Sequence, residues 1–297
     1  MTTSNTPVAA APAVESRSVG GLRVHAITAG LQRLDGGAMF GVVPKPLWER
    51  RIAPDARNRI PLAMRCLLVE HASGLVLIDT GAGSKENEKF HDIYGVENRG
   101  AEPGDTWLED GLRSIGVSPR DISLVLNTHL HFDHAGGNTR FDASGQARAS
   151  FPQARYVVQA GEYHYATHTN ERTAASYFPH NFVPLHETGQ LELVQGEVEI
   201  ARGIRLIPAP GHTPHHQGVL IEDGGEAAFY PADLVPTAAH LPLPWIMGYD
   251  VEPLVTLETK RTLLARAVAD DWLFVFEHDP TTPWGRVGKD GKGYGLR

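Results

Sequence analysis

The sequence predicts a layered α/β fold made of two similar halves, and three observations carry that reading. Apolar runs of strand length recur along the chain, one strand, helix, strand passage leads into the most distinctive motif, and one hairpin pattern occurs twice. Several of the strands end on an acid or a histidine, so chemistry is placed where a rigid sheet hands side chains to a loop.

Composition bounds the rest. With 41% hydrophobic and 21% charged residues in 297, the chain has an ordinary globular balance and enough length for a substantial core. A net charge of -8, from 35 acidic and 27 basic residues without a long basic run, argues against nucleic acid as a partner. No run is long and apolar enough for a membrane span. The first 20 residues, rich in Ala, Pro, Ser and Thr and broken by Pro7, Pro12 and Glu15, read as a disordered tail without a secretory signal. Residues 21–297 read as a single domain. The lone Cys66 sits in an apolar run and reads as a core residue, a usage suited to a cytoplasmic protein.

The first strand, Leu22 to Thr28, alternates with period two. A Gly- and Pro-rich loop from Leu34 to Trp48 follows. Its Met39, Phe40 and Trp48 read either as core or as the lip of an apolar substrate pocket. A hairpin then runs from Cys66 through Ser73-Gly74 to Leu75-Val76-Leu77-Ile78-Asp79. A carboxylate at a buried strand end usually has a partner, and Asp79 reads either as a cap for the following loop or as an acid that orients a metal-binding side chain. Ser84 to Gly104 reads as a charged surface loop. The segment from Thr106 to Gly116 reads as a helix whose Trp107, Leu108, Leu112 and Ile115 share one face, ended by Gly116.

That helix leads into the strand Ile122 to Leu126 and then Thr128-His129-Leu130-His131-Phe132-Asp133-His134-Ala135-Gly136-Gly137. Histidine is common here, 15 of 297, so one or two neighbouring histidines would mean little. Three imidazoles and a carboxylate in six positions at a strand end are instead a donor set for a borderline divalent metal.

Beyond it, Arg155 to Gln159 reads as a strand, Gly161 to Thr167 as a short helix, and Thr169 to Gln190 as a long polar connection of the kind that forms lids. The second half then echoes the first. Gly218 to Glu222, a Gly224-Gly225 turn and Ala227 to Asp233 repeat the hairpin that ends on Asp79. His212 stands in a stiff Pro-Gly-His-Thr-Pro turn after the strand Ile204 to Ile207, and His278 follows the apolar strand Trp272 to Phe276. A helix covers Glu252 to Ala269, and the glycine-rich tail from Thr281 reads as loose.

Taken together, Asp79, His129-x-His131-x-Asp133-His134, His212, Asp233 and His278 resemble the motif set of the metallo-β-lactamase superfamily, in the same order, across about Leu22 to Pro280. The resemblance implies an αβ/βα sandwich with its site at one edge of the sheets. It also implies two divalent metal ions, zinc by ligand type with Fe, Mn or Co as alternatives: His129, His131 and His212 on the first, Asp133, His134 and His278 on the second, and Asp233 bridging. No cysteine is available as a ligand, His131 stands where the diiron flavoproteins carry Glu, and no nucleic-acid-processing domain is attached. Small-molecule hydrolases remain.

Within them, the run from His129 to Asn138 resembles the N-acyl-homoserine lactone lactonases. Asp35 to Lys45 and Trp245 to Asp250 are similar to the quorum-quenching lactonase and methyl parathion hydrolase branch. The resemblance implies opening of a lactone with an apolar acyl chain by a hydroxide bridging the two metals, with Asp133 as the proton shuttle. Trp245, Met247 and Tyr249 join the candidate pocket, and Pro236 stands where some lactonases place a catalytic tyrosine. A phosphotriester, phosphodiester, ester or thioester hydrolase, a metal-bound sensor without turnover, and a homodimer built on the same apolar residues stay open.

Overall fold

In the computed structural model, which describes residues 13–291 and 293–297, two seven-stranded sheets pack face to face. The first runs in spatial order Val14–Val19, Leu22–Asp35, Arg59–His71, Gly74–Ile78, Ile122–Leu126, Arg155–Gln159 and Leu191–Val194. The second runs Val198–Ala201, Ile204–Pro208, Gln217–Asp223, Glu226–Tyr230, Leu273–Val275, Trp284–Asp290 and Gly293–Leu296.

The echo between the halves has a structural meaning. In each sheet the first four strands pair antiparallel, and the fourth then pairs parallel with the fifth. Asp79 and Asp233 follow the fourth strands, and His129 and His278 follow the fifth. A parallel pair brings both chains to the same edge of the sheet, so these side chains emerge together.

Side-chain alternation makes the layers. Leu67, Val69, Leu124 and Leu126 point between the sheets, where they meet Leu206, Val219, Ile221 and Tyr230. Leu68, Leu77, Val125 and Tyr156 point the other way, onto Leu108 and Leu112 of helix Trp107–Ser114 and onto Phe182 and Leu185. Leu220, Phe229 and Phe274 likewise cover themselves with Leu263, Leu264 and Ala267 of helix Pro253–Ala269. Strands buried on both faces are thus read as continuous apolar runs, and the result is the four-layer αβ/βα sandwich. Each fully buried Leu or Val side chain contributes roughly 1.5–3 kcal/mol of transfer free energy.

Three expectations need correction. The reading of 1–20 as a disordered tail fails at Val14–Val19, which pairs antiparallel with Leu22–Asp35 across a Gly20-Gly21 turn; residues 1–12 lie outside the described residues. The segment from Thr281 is not loose: Trp284–Asp290 pairs with Leu273–Val275, Gly293–Leu296 extends the sheet, and Trp284, Val287 and Tyr294 are buried. Its glycines suggested flexibility, but its buried aromatic and aliphatic side chains decide the outcome. Ser84 to Gly104 contains helix Glu88–Tyr94, begun by an Asn87 cap whose Oδ1 accepts from Phe90 N at 3.0 Å. No helix among the described residues is long and apolar enough to cross a membrane.

Candidate metal centre

The sheet edge holds seven side chains aimed at one small volume. Strand Ile122–Leu126 ends just before the motif, and the chain turns through His129 and His131 into the short helix Phe132–Ala135. Gly136 and Gly137 let this turn press against the loop after Asp79. A Cβ at Gly136 would stand 2.2 Å from Ala82 O, and one at Gly137 2.2 Å from Thr80 O. Backbone bonds seal the contact, Thr80 N donating to His134 O at 2.7 Å and Gly137 N to Gly81 O at 3.0 Å.

Asp233 is the centre of the constellation. Its Oδ2 lies 3.0 Å from His212 Nε2, 3.5 Å from His134 Nε2 and 3.8 Å from His129 Nε2, while Oδ1 lies 3.0 Å from His278 Nε2. His131 presents Nδ1, 3.1 Å from His212 Nε2. Asp133 closes the other side, with Oδ1 3.7 Å from His134 Nε2 and Oδ2 3.8 Å from His278 Nε2. Two overlapping groups within metal-holding reach result: His129, His131, His212 and Asp233, then His134, Asp233, Glu277 and His278.

Glu277 is a residue the sequence reading missed, and its place is specific. Its Oε1 lies 3.0 Å from His134 Nδ1, the ring atom that Asp79 Oδ2 also approaches at 3.1 Å. Nδ1 is therefore engaged from behind by two acids, and Nε2 is the atom left facing Asp133 and Asp233. Glu277 therefore stands behind the His134 ring, and Asp133 faces its inward nitrogen.

Four of the five rings are held from behind, His134 by Asp79 and Glu277 as above. His212 Nδ1 bonds Asp250 Oδ1 at 2.9 Å, and Thr256 Oγ1 donates to the other oxygen of Asp250 at 2.7 Å. His278 Nδ1 donates to Ala63 O at 2.7 Å. His129 Nδ1 lies 3.1 Å from Thr128 Oγ1, whose hydroxyl donates to Asp79 Oδ2 at 2.7 Å. Such partners fix ring orientation and aim the inward nitrogen at the site, where a bound metal ion would take the place of its proton. Gln32 Nε2 donates to Asp133 Oδ2 at 2.6 Å, fixing that carboxylate too. Apart from Asp79, none of these supports carries a local sequence signal. They become neighbours only when the sheets pack.

The electrostatics fit cation binding. Burial and the surrounding imidazoles hold His129 and His131 well below the ordinary histidine value, so both are neutral donors. Burial would lower His212 and His278 too, but Asp233 with Asp250, and Asp233 with Glu277, hold them up at about 10 and about 9. Burial would raise Asp233, yet His212, His278 and His134 keep it well below the usual carboxylate range. Burial lifts Glu277 to about 7. His129 Nε2 and His134 Nε2 are buried without any hydrogen-bond partner, as is Asp233 Oδ1 despite the nearby His278. Buried polar atoms are rarely left so. Divalent metal ions would satisfy all three, and the donor chemistry suits them.

A cavity of about 470 Å³ opens over the centre. His131, Asp133, His212, Asp233 and His278 form its floor, and Leu34, Leu62, Phe132 and Val251 contribute apolar walls. Of the predicted pocket residues, Met39, Met247 and Tyr249 line it, Tyr249 at the exposed rim. Phe40, Trp48 and Trp245 do not, and their assignment to the pocket is corrected. Phe40 stacks on Trp48 at 5.4 Å and on His240 at 4.6 Å, and Trp245 meets it edge-on at 5.7 Å, forming a core cluster behind the wall. Burial of Met39, Phe40, Trp48 and Met247 also removes them from any exposed self-association face. Arg172, Thr173, Ala175 and Ser176 of the long connection and Tyr94 of the helix in the Ser84 to Gly104 segment also line the cavity.

Comparison with known proteins agrees with this geometry. The model of the Metallo-beta-lactamase superfamily matches residues 61–278. An N-acyl homoserine lactonase from Bacillus sp is 30% identical over 168 residues, 55% of this chain and 60% of that protein, so the chain matches about 60% of the length of that curated relative. The crystal structure of a probable metal-dependent hydrolase from Staphylococcus aureus superposes with a TM-score of 0.84 at 32% identity, covering 95% of this chain and 99% of that one. A dizinc quorum-quenching lactonase in complex with its product shares the fold at a TM-score of 0.78 and 20% identity, over 96% and 97% of the two chains. Sandwich, motif order and family match converge, and the chain belongs to the metallo-beta-lactamase superfamily.

Proposed function

We propose that the protein is a hydrolase with a two-metal centre, and that it opens the ring of N-acyl-homoserine lactones. The observation that carries the reading is the pair of donor groups sharing Asp233 at the floor of an apolar cavity. His129, His131 and His212 would hold one divalent ion, Asp133, His134 and His278 the other, with Asp233 between them; zinc is the ion that best suits these donors. When bound, such a pair lowers the pKa of water and polarises a carbonyl oxygen.

The chain's own groups do the rest. The apolar walls receive the acyl chain and strip it of water, which directs the polar lactone ring to the floor. Asp133, fixed by Gln32 and lining that floor, is placed to take a proton from the attacking water and to return it to the leaving alkoxide. Asp233 balances the charge of both histidine groups. No serine or cysteine nucleophile is needed, and Cys66 is buried in the core away from the cavity. The names of the curated lactonases and of the dizinc lactonase support the same substrate class.

A side-by-side assay of the zinc-loaded protein on an N-acyl-homoserine lactone, a simple lactone, a thioester and an aryl phosphotriester tests the reading. Ring opening of the acyl-homoserine lactone with the highest kcat/KM is expected. Preference for the phosphotriester would replace the lactonase reading by an organophosphate hydrolase, and no turnover on any member would leave a metal-bound sensor.

A further inference from the structure

Glu162 is fully buried and projects from helix Ala160–Thr167 toward the back of the centre. Its Oε1 accepts from Leu130 N at 3.1 Å and from the Tyr177 hydroxyl at 3.0 Å, and its Oε2 accepts from Thr213 Oγ1 at 2.6 Å. Every one of these partners borders an imidazole of the first donor group. Leu130 lies between His129 and His131, Thr213 directly follows His212, and the Tyr177 ring stands edge-on to His131 at 4.6 Å.

One carboxylate therefore ties together three segments that are far apart in the chain. The helix carrying it is seated tightly, since a Cβ at Gly161 would lie 2.4 Å from the His215 ring in the same turn as His212. An acid is a costly way to fill such a space unless its oxygens are used, because a buried charge without partners is strongly disfavoured. Here both oxygens are bonded. The second donor group has supports of its own in Glu277 and Ala63, shares Asp79 with the first group by way of Thr128, and has no bond to Glu162.

We propose that Glu162 is a positioning residue that holds His129, His131 and His212 in register for one of the two metal ions and leaves the other ion's site unaffected. The inference rests on the metal-binding part of the reading above and not on the identity of the substrate. Loss of an outer partner of this kind costs about 10- to 100-fold in metal affinity.

The test is titration of metal-stripped protein with Zn²⁺ in competition with a chromophoric chelator. Glu162→Met is expected to weaken one of two binding steps by about 10- to 100-fold and leave the other at its wild-type value. Glu162→Gln, which keeps an acceptor for Leu130 N, is expected to lose less. Ile221→Ala, in the core between the sheets, is expected to lower thermal stability and leave both affinities unchanged. Should Glu162→Met fail to fold, Thr213→Val and Tyr177→Phe each delete one bond with the carboxylate in place, and each is expected to weaken the same single step. Wild-type affinity at both steps in folded Glu162→Met, or in both of those substitutes, would overturn the proposal, as would equal weakening of both steps. A wild-type protein that binds two zinc ions but hydrolyses nothing would refute the ring-opening reading and leave this test intact. One that binds no zinc would overturn both.

Discussion

Asp79→Asn offers a sharp test of how the second donor group is held. Asp79 adopts φ 54°, a left-handed conformation that Asn tolerates well, so the substitution adds little backbone strain. Its Oδ1 accepts from Thr128 N at 2.8 Å, and its Oδ2 accepts from Thr128 Oγ1 at 2.7 Å and faces His134 Nδ1 at 3.1 Å. The buried amide of Thr128 cannot turn away, so the Asn oxygen must stay on it and the NH₂ group falls where Oδ2 was. The Thr128 hydroxyl can rotate to accept. His134 cannot: its Nδ1–H would meet a donor. The ring is driven toward the tautomer protonated on Nε2, the atom that faces Asp133 and Asp233.

A lost outer partner lowers metal affinity by about 10- to 100-fold, or about 1.4–2.7 kcal/mol. Glu277, still 3.0 Å from Nδ1, sets the effect toward the lower end. Chelator competition on the stripped variant is the assay. Asp79→Asn is expected to weaken most the step that Glu162→Met leaves alone, with a smaller loss at the other step through Thr128 and His129. Two wild-type binding steps in a folded Asp79→Asn protein would refute the assignment of Asp79 as the group that orients His134.

Asp133→Asn is expected to keep the fold and lose about 10²- to 10⁴-fold in kcat, the range for a positioned acid or base; turnover near wild type in a metal-loaded variant would sink the shuttle role. Lys260 is buried and donates to His240 O at 2.7 Å, Pro242 O at 2.9 Å and Trp245 O at 2.8 Å, holding the loop that delivers Met247 and Tyr249 to the cavity. Lys260→Met strands these carbonyls, each worth about 1–3 kcal/mol when unsatisfied, so urea unfolding should show a loss of about 3 kcal/mol near pH 7 with a raised KM. Burial pulls the Lys260 ammonium from 10.5 down to about 7, so between those values the unfolded chain binds the proton and the folded one does not. The contribution of Lys260 to stability is therefore expected to rise from pH 7 to pH 10, and this rise is expected to be absent in Lys260→Met.

The layered fold was legible because its strands are buried on both faces, and continuous apolar runs such as Leu75 to Ile78 and Ile122 to Leu126 announce themselves without an alignment. The repeated hairpin carried further than expected, since its two copies occupy equivalent places in the two sheets and deliver Asp79 and Asp233 to one edge. The histidine cluster was visible for a chemical reason, four metal-type donors in six positions.

What escaped was everything set by long-range packing. Gln32, Glu162, Asp250 and Glu277 stand in unremarkable contexts and gain meaning only from partners that are mostly remote in sequence. Phe40 and Trp48 look from the sequence much like Met39, and all three join one core cluster, yet of the three only Met39 also lines the cavity. The tail from Thr281 misled because its glycines outnumber the few buried side chains that anchor it.

Stepwise zinc titration of the metal-stripped protein, with acyl-homoserine lactone ring opening followed at every addition, tests the central claim most directly. Two equivalents per chain, with activity complete only when the second has bound, is the expected result. Saturation and full activity at a single equivalent would contradict the shared role of Asp233 and the two-metal centre built on it.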